Sequence, residues 1–297
     1  MKKDVLAMYI DVPTRNGGNQ MKHIFGVFGD PIEHSMSPAM HEAALAHAGI
    51  DGAYHAFHVK PEGLHDAVKG VRALGIRGVN VTIPHKVDVM KHLDAIDPLA
   101  ERIGAVNTIV NDDGVLTGFN TDGVGYLEGL RPLLTHPLTD MRVLIIGAGG
   151  AARAVAMTLA SKEVKELYVA NRTETKAGEL AKACKPFAAS RSLTLSLAQA
   201  RLMEFDLVIN TTSVGMSPHV DNIPISLEML GRHTIVTDLI YNPMETRLLK
   251  MARQKGAKTQ NGLNMFVLQG GLAFEKWTGK TAPRDVMRQA VLDQLGG

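Results

Sequence analysis

The sequence predicts an α/β protein of two domains: an N-terminal open α/β unit, then a Rossmann-like unit, with C-terminal helices packing back on the first. Three observations predict it. Short β-rich runs alternate with helical ones from Lys22 onward. A glycine-rich turn, Gly147-Ala148-Gly149-Gly150-Ala151, joins an apolar strand to an alanine-rich helix. After Asn261-Gly262 only helical periodicity remains, with no strand left to pair.

In order, the first unit reads as a strand over 23–28, a helix from Ser37, a strand over 53–59, a helix after Pro61, a strand over 78–82, a helix opening at Pro84, and an apolar run over 105–110. The polar, proline-bearing stretch 130–140 leads into a cleaner series: strand 143–146, helix 151–160, strand 167–170, helix 175–183, and strands 207–209 and 234–239. Helices over 263–277 and 283–295 close the chain. The expected division is residues 21–121 with 262–297 as one domain and 122–261 as the other. Residues 1–20, ahead of a second methionine at Met21, are expected to be a flexible extension.

A chain of 297 residues with 45% hydrophobic content can bury two modest cores, which excludes a disordered or fibrous protein. Its 32 Lys and Arg against 30 Asp and Glu leave +2, far from the basic excess of a phosphate-backbone binder, so nucleic acid is not an expected partner. The single cysteine, Cys184, allows no internal disulfide and points to the cytoplasm. Asp4, Asp11 and Pro13 interrupt any signal-peptide pattern, and the most apolar run, 143–157, falls short of the ~20 residues that cross a bilayer, so no membrane association is expected.

The glycine turn carries the first chemistry. In G-x-G-x-x-A the first glycine permits the tight turn, the second lets backbone approach a pyrophosphate, and the small last residue lets helix and strand pack closely. About 20 residues further on, an acid would hold the ribose hydroxyls of NAD, whereas a base accommodates the extra phosphate of NADP. Here that strand ends in Asn171-Arg172-Thr173-Glu174-Thr175-Lys176, where Arg172 and Lys176 flank a phosphate with Thr173 as donor, favouring NADP. Glu174 keeps NAD open if it turns inward; otherwise it is a solvated acid in a helix's first turn.

Polar clusters at the ends of apolar runs in the first domain carry the second. Ser35 and Ser37 offer two hydroxyls to a carboxylate, although Ser37 followed by Pro38 also reads as a plain helix cap. Lys86 follows a strand end, and Asn120-Thr121-Asp122-Gly123 supplies a carboxylate; a lysine and an aspartate meeting in a cleft can hold a hydroxyl and move its proton as hydride leaves the same carbon. Gly279-Lys280-Thr281 lacks the first glycine of a phosphate loop, because Phe274 occupies that position. His55 and His58 face oppositely on an alternating strand, with no carboxylate or cysteine to complete a metal set, and no metal is expected.

Taken in order, Ser35-Met36-Ser37-Pro38, Asn80-Val81-Thr82-Ile83-Pro84-His85-Lys86, Gly104-Ala105-Val106-Asn107-Thr108, Asn120-Thr121-Asp122-Gly123, the Gly147 turn, Asn171-Arg172-Thr173, Thr211-Thr212-Ser213-Val214-Gly215-Met216, Tyr241-Asn242-Pro243 and Gln269 resemble the shikimate dehydrogenase family. The resemblance runs from residue 22 to about residue 290. It implies an NADP-dependent interconversion of 3-dehydroshikimate and shikimate, on the route to aromatic amino acids, with a small-molecule substrate as partner; monomer and homodimer both stay open. It further implies that Ser35, Ser37, Thr82 and Tyr241 surround the substrate carboxylate, that Lys86 and Asp122 face the reacting hydroxyl, and that Asn107 and Gln269 hold the other ring hydroxyls. On the cofactor side it implies Gly147, Ala148, Gly149, Gly150 and Ala151 at the pyrophosphate, Asn171, Arg172, Thr173, Glu174, Thr175 and Lys176 at the adenosine ribose phosphate, and Leu239 and Gly262 near the nicotinamide. Leu239 stands where some members carry methionine. The main alternative is an NAD-linked quinate/shikimate dehydrogenase. A nucleotide-sensing protein without turnover should have lost Lys86 or Asp122, and both are present.

Overall fold

The computed structural model describes residues 22–296, so the extension expected at 1–20 lies outside the described residues. The first sheet contains β1 (His23–Gly29), β2 (Gly52–His58), β3 (Gly78–Val81), β4 (Ala95–Ile96), β5 (Thr108–Asp112) and β6 (Val115–Phe119) in the order β2-β1-β3-β5-β6-β4. Its first three strands are parallel, while β5 runs antiparallel to both β3 and β6. One face is covered by α1 (Ser37–His47), the long α9 (Leu263–Thr278) and α10 (Arg284–Gln294), the other by α2 (Leu64–Ala73). Trp277 of α9 is buried and its indole N–H donates to the Ile109 carbonyl of β5 at 2.9 Å, which fastens the C-terminal helices to this sheet. Gly279, read from sequence as a false phosphate loop, ends α9 in the left-handed conformation.

The second sheet is wholly parallel: β7 (Arg142–Ile146), β8 (Glu166–Ala170), β9 (Ser190–Leu193), β10 (Leu207–Asn210), β11 (Ile235–Asp238) and β12 (Lys258–Gln260) lie in the order β12-β11-β10-β7-β8-β9. Counted from β7, that is the doubly wound dinucleotide-binding order, whose crevice opens at the carboxyl ends of β7 and β10 where the winding reverses. Four residues of β7 are buried because helices cover both faces: α5 (Gly150–Ala160) and α6 (Glu174–Cys184) on one, α7 (Leu195–Ala200) and α8 (Arg247–Gln254) on the other.

One expectation fails locally. No helix opens at Pro84: the chain turns, and a short 3-10 segment begins only at Asp88. The Lys86 carbonyl accepts from Val106 N–H at 2.7 Å, so it is unavailable to a helical ladder. For the same reason Ala105, Val106 and Asn107 form a crossing segment and the strand starts at Thr108. The short α3 (Pro98–Ile103), capped by Asp97 accepting from the Leu99 and Ala100 N–H groups, completes this side.

Helix α4 (Asp122–Leu130) joins the two sheets and packs against both α5 and α9. Its contact with α9 is backbone to backbone: a β-carbon at Gly125 would stand 2.7 Å from the Gln269 amide nitrogen. Replacing Gly125 with alanine should therefore force α4 and α9 apart and destabilise the protein by ~1–3 kcal/mol. Thermal unfolding checks this, and an unchanged melting temperature would refute the close fit.

Candidate active site

Lys86 is held from both sides. Thr82 N–H donates to the Phe28 carbonyl at 2.9 Å as the chain leaves β3, and buried His85 bonds the Val59 carbonyl through Nε2 at 2.6 Å. The lysine side chain runs to Asp122, the first residue of α4, where Nζ donates to Oδ2 at 2.6 Å. The two side chains are only 14% and 5% exposed. Such a pair is tolerable away from water only if its remaining polar positions are filled. Asp122 Oδ1 accepts from Asn107 Nδ2 at 2.8 Å, and the carboxylate sits at a helix start, where negative charge is favoured.

Asn107 cannot turn over. Its Oδ1 accepts from the Thr121 N–H at 2.8 Å, which leaves Nδ2 facing Asp122 and, at 3.3 Å, Gln269 Oε1. Gln269 is itself fixed by donating through Nε2 to the Phe266 carbonyl at 2.8 Å. Lys86, Asp122, Asn107 and Gln269, drawn from separate stretches of sequence, thus form one cluster.

A second group gathers at the start of α1. Ser35 Oγ accepts from the Ser37 N–H at 3.3 Å. Ser37 is the first helical residue, not the cap, which is Met36 without a side-chain bond; the Ser37 hydroxyl faces that of Tyr54. Tyr241 stacks on Phe266 with ring centroids 4.5 Å apart, and its hydroxyl meets the Met36 backbone. Burial pushes its phenol up to about 12, so it remains a neutral donor. Thr82 lies at the end of β3 with its methyl turned to Gly29.

Across the cleft the turn after β7 begins at Gly147, whose φ of +120° suits glycine alone. The N-terminus of α5 has no side-chain cap, and a β-carbon on Gly149 would meet only open space. Free helix N–H groups beside an open glycine cradle fit a pyrophosphate. At the end of β8, Asn171 Nδ2 donates to the Thr173 carbonyl at 3.0 Å, and Arg172, Thr173, Glu174, Thr175 and Lys176 are all exposed. Glu174 opens α6 as a solvated first-turn acid. Gly262 is pressed against the Leu239 backbone, leaving no space for a side chain. The two domains touch where Gly150 meets the Lys86 stem: a β-carbon there would lie 3.2 Å from the lysine Cβ.

His58 meets Asp30 at 2.7 Å and Glu33 at 3.3 Å, while His55 packs on Phe57. Among the described residues no group of three or more His, Cys, Asp or Glu is arranged to hold a metal, and no helix is long and apolar enough to cross a membrane. Asp238 was not foreseen. This last residue of β11 accepts from Asn210 Nδ2 at 3.1 Å, the Ile240 N–H at 3.0 Å and Thr246 Oγ1 at 2.8 Å, tying together the loops after β10 and β11. Only an acid at the end of a buried run hinted at it.

A doubly wound sheet presenting an open glycine cradle, opposed across the cleft by a buried lysine–carboxylate pair, defines a two-domain nicotinamide-nucleotide oxidoreductase that acts on a hydroxyl or carbonyl carbon. The chain matches family models for the shikimate dehydrogenase substrate binding domain at residues 27–109, shikimate / quinate 5-dehydrogenase at 133–222 and the shikimate 5'-dehydrogenase C-terminal domain at 262–292. It is 51% identical over 277 residues to a shikimate dehydrogenase (NADP(+)) of Bacillus cereus strain ATCC 10987, covering 93% of this chain and 100% of the relative. A shikimate dehydrogenase solved with NADP+ superimposes with a TM-score of 0.87 at 43% identity, covering 92% of this chain and 96% of that one. The Thermus thermophilus shikimate 5-dehydrogenase, solved with NADP(H) and shikimate, gives 0.83 at 39% identity over 91% and 99%. The chain belongs to the shikimate dehydrogenase family.

Burial raises the Asp238 carboxyl from 3.8 to about 6, against the opposing effect of its three hydrogen bonds. The folded protein therefore binds this proton more tightly than the unfolded chain, and the stabilisation it brings is complete below about pH 4 and lost as pH rises through about 6. A gap of about two units corresponds to ~3 kcal/mol. Asp238→Asn should unfold at a higher temperature than the parent at pH 7.5, with the difference vanishing near pH 4. Melting curves across that range check it; a constant difference would place the effect elsewhere.

Proposed function

We propose that this chain is an NADP-dependent shikimate dehydrogenase that reversibly reduces 3-dehydroshikimate to shikimate, a step of aromatic amino acid biosynthesis. The observation that carries the reading is the Lys86–Asp122 pair, buried in the cleft directly against the start of the dinucleotide helix. In this reading residues 21–121 with 262–297 bind the substrate and 122–261 bind NADP. The enzyme works in the cytoplasm as a monomer or homodimer; a cytoplasmic setting accords with the single thiol, Cys184, which is buried and pushed up to about 12.

Bound NADPH supplies the hydride; the polypeptide positions the acceptor and manages one proton. Ser35, Ser37, Thr82 and Tyr241 hold the substrate carboxylate with neutral donors. Asn107 and Gln269 hold the ring hydroxyls, and such sites reject analogues that lack one. Lys86 Nζ faces the carbonyl oxygen, stabilises the alkoxide that forms and delivers its proton. Asp122 keeps that ammonium aimed, and in the oxidative direction the Lys86 amine takes the same proton back. Gly147, Ala148, Gly149, Gly150 and Ala151 offer backbone to the pyrophosphate; Leu239 and Gly262 flank the nicotinamide. Arg172 and Lys176, with Asn171, Thr173 and Thr175 beside them, take the ribose phosphate, while Glu174 stays solvated.

An absorbance assay of shikimate and quinate, each with NADP and NAD, tests the reading as a whole. Absence of shikimate turnover would overturn it, and higher catalytic efficiency with NAD would hand the site to the quinate/shikimate alternative. Lys86→Met should lower kcat by about a hundredfold or more, the scale of a positioned acid–base group, while NADP affinity stays near that of the parent. Turnover within tenfold of the parent would remove the lysine from the chemistry. Arg172→Ala should raise KM for NADP about tenfold, or ~1.4 kcal/mol, and leave KM for NAD unchanged. Equal effects on both cofactors would show that the arginine does not read the phosphate.

A further inference from the structure

Behind the lysine–aspartate pair, Tyr54, Asn80 and Thr108 continue a line of buried polar groups and have no role in the reading above. Tyr54 Oη donates to Asn80 Oδ1 at 2.8 Å, and Asn80 Nδ2 donates to Thr108 Oγ1 at 3.3 Å. Thr108 Oγ1 then donates to Asn107 Oδ1 at 3.0 Å, and Asn107 Nδ2 donates to Asp122 Oδ1 at 2.8 Å. Every side chain in the line is buried.

Its direction is forced by backbone groups that can play one part only. The Asn107 carbonyl accepts from Asn80 Nδ2 at 3.2 Å, so Asn80 must turn its oxygen to Tyr54, and the tyrosine must donate. The Thr121 N–H fixes Asn107 Oδ1 as an acceptor, so Thr108, already accepting from Asn80, must donate onward. All the donors therefore point toward one carboxylate, the arrangement in which successive hydrogen bonds polarise one another. At the far end the Tyr54 ring lies flat on His41, with centroids 4.4 Å apart and planes at 9°. Burial pushes that imidazole down to about 3, so the stack stays neutral at physiological pH.

We propose that Tyr54 and Thr108 are positioning residues for the reaction: their hydroxyls head and bridge a one-way hydrogen-bond chain that holds Asn107 and Asp122 in the geometry Lys86 requires. The inference rests on the dehydrogenase reading above, in which Asp122 and Asn107 face the substrate.

Tyr54→Phe keeps the ring and its stack while deleting one donor. Thr108→Val keeps the shape; Asn80 Nδ2 retains the Asn107 carbonyl and Asn107 Oδ1 retains the Thr121 N–H, so the fold is left satisfied. Each variant should lower kcat/KM for shikimate about three- to tenfold, the worth of one neutral hydrogen bond, with KM for NADP unchanged. Thr108→Ser, which restores the hydroxyl, should return to the parent value. The double variant should be no worse than the weaker single one, since either change breaks the same chain. Multiplicative losses in the double variant, failure of serine to rescue, or single variants that shift only the melting temperature would overturn the proposal. A parent protein that does not oxidise shikimate would sink the functional reading itself; a parent that does, with multiplicative variants, sinks only this inference.

Discussion

Two opposite charges held out of water organise this molecule. Lys86 and Asp122 gain little from each other unless the rest of the protein supplies the hydrogen bonds that solvent would have made, and removing one partner would strand the other. That requirement explains why the chain departs from regular structure around them. The Lys86 carbonyl is given to Val106, the strand is delayed to Thr108, and α4 begins at Asp122, where its N-terminus favours the carboxylate. The close glycine contact between α4 and α9 follows as well, since it brings Gln269 within reach of Asn107.

What the sequence made legible was whatever repeats a local physical rule. The strand–glycine–helix turn at Gly147 and the buried apolar runs of β7, β8 and β10 are visible because each rule acts over a few neighbouring residues. Elements of marginal length escaped: β4, β9 and β12 span two, four and three residues and exist because a neighbouring strand is there to pair with. The helix expected at Pro84 failed for a related reason, a hydrogen bond to a residue twenty positions away that periodicity cannot register.

The candidate site divides in the same way. The strings around Ser35, Lys86, Asn107 and Asp122 were conspicuous as polar interruptions at the ends of apolar runs, and the resemblance gave them a common purpose. Tyr54 and Asp238 were not conspicuous. A tyrosine in the middle of a strand reads as core, and an aspartate at a strand end reads as a turn, until three-dimensional neighbours reveal what their polar atoms touch. Ser37 shows the converse: its hydroxyl fits a helix cap by pattern, yet the structure makes it the first helical residue and turns it to Tyr54.

The contact between Gly150 and the Lys86 stem has a metric consequence. The glycine turn that opens α5 rests on the Lys86 stem with no side chain between them. In the proposed reading, the spacing between the two reacting molecules is thus gauged by the polypeptide, as by a shim one methylene thick. A larger residue at position 150 would push the turn and the lysine stem apart and so alter that gauge, which transfer between two bound molecules depends on.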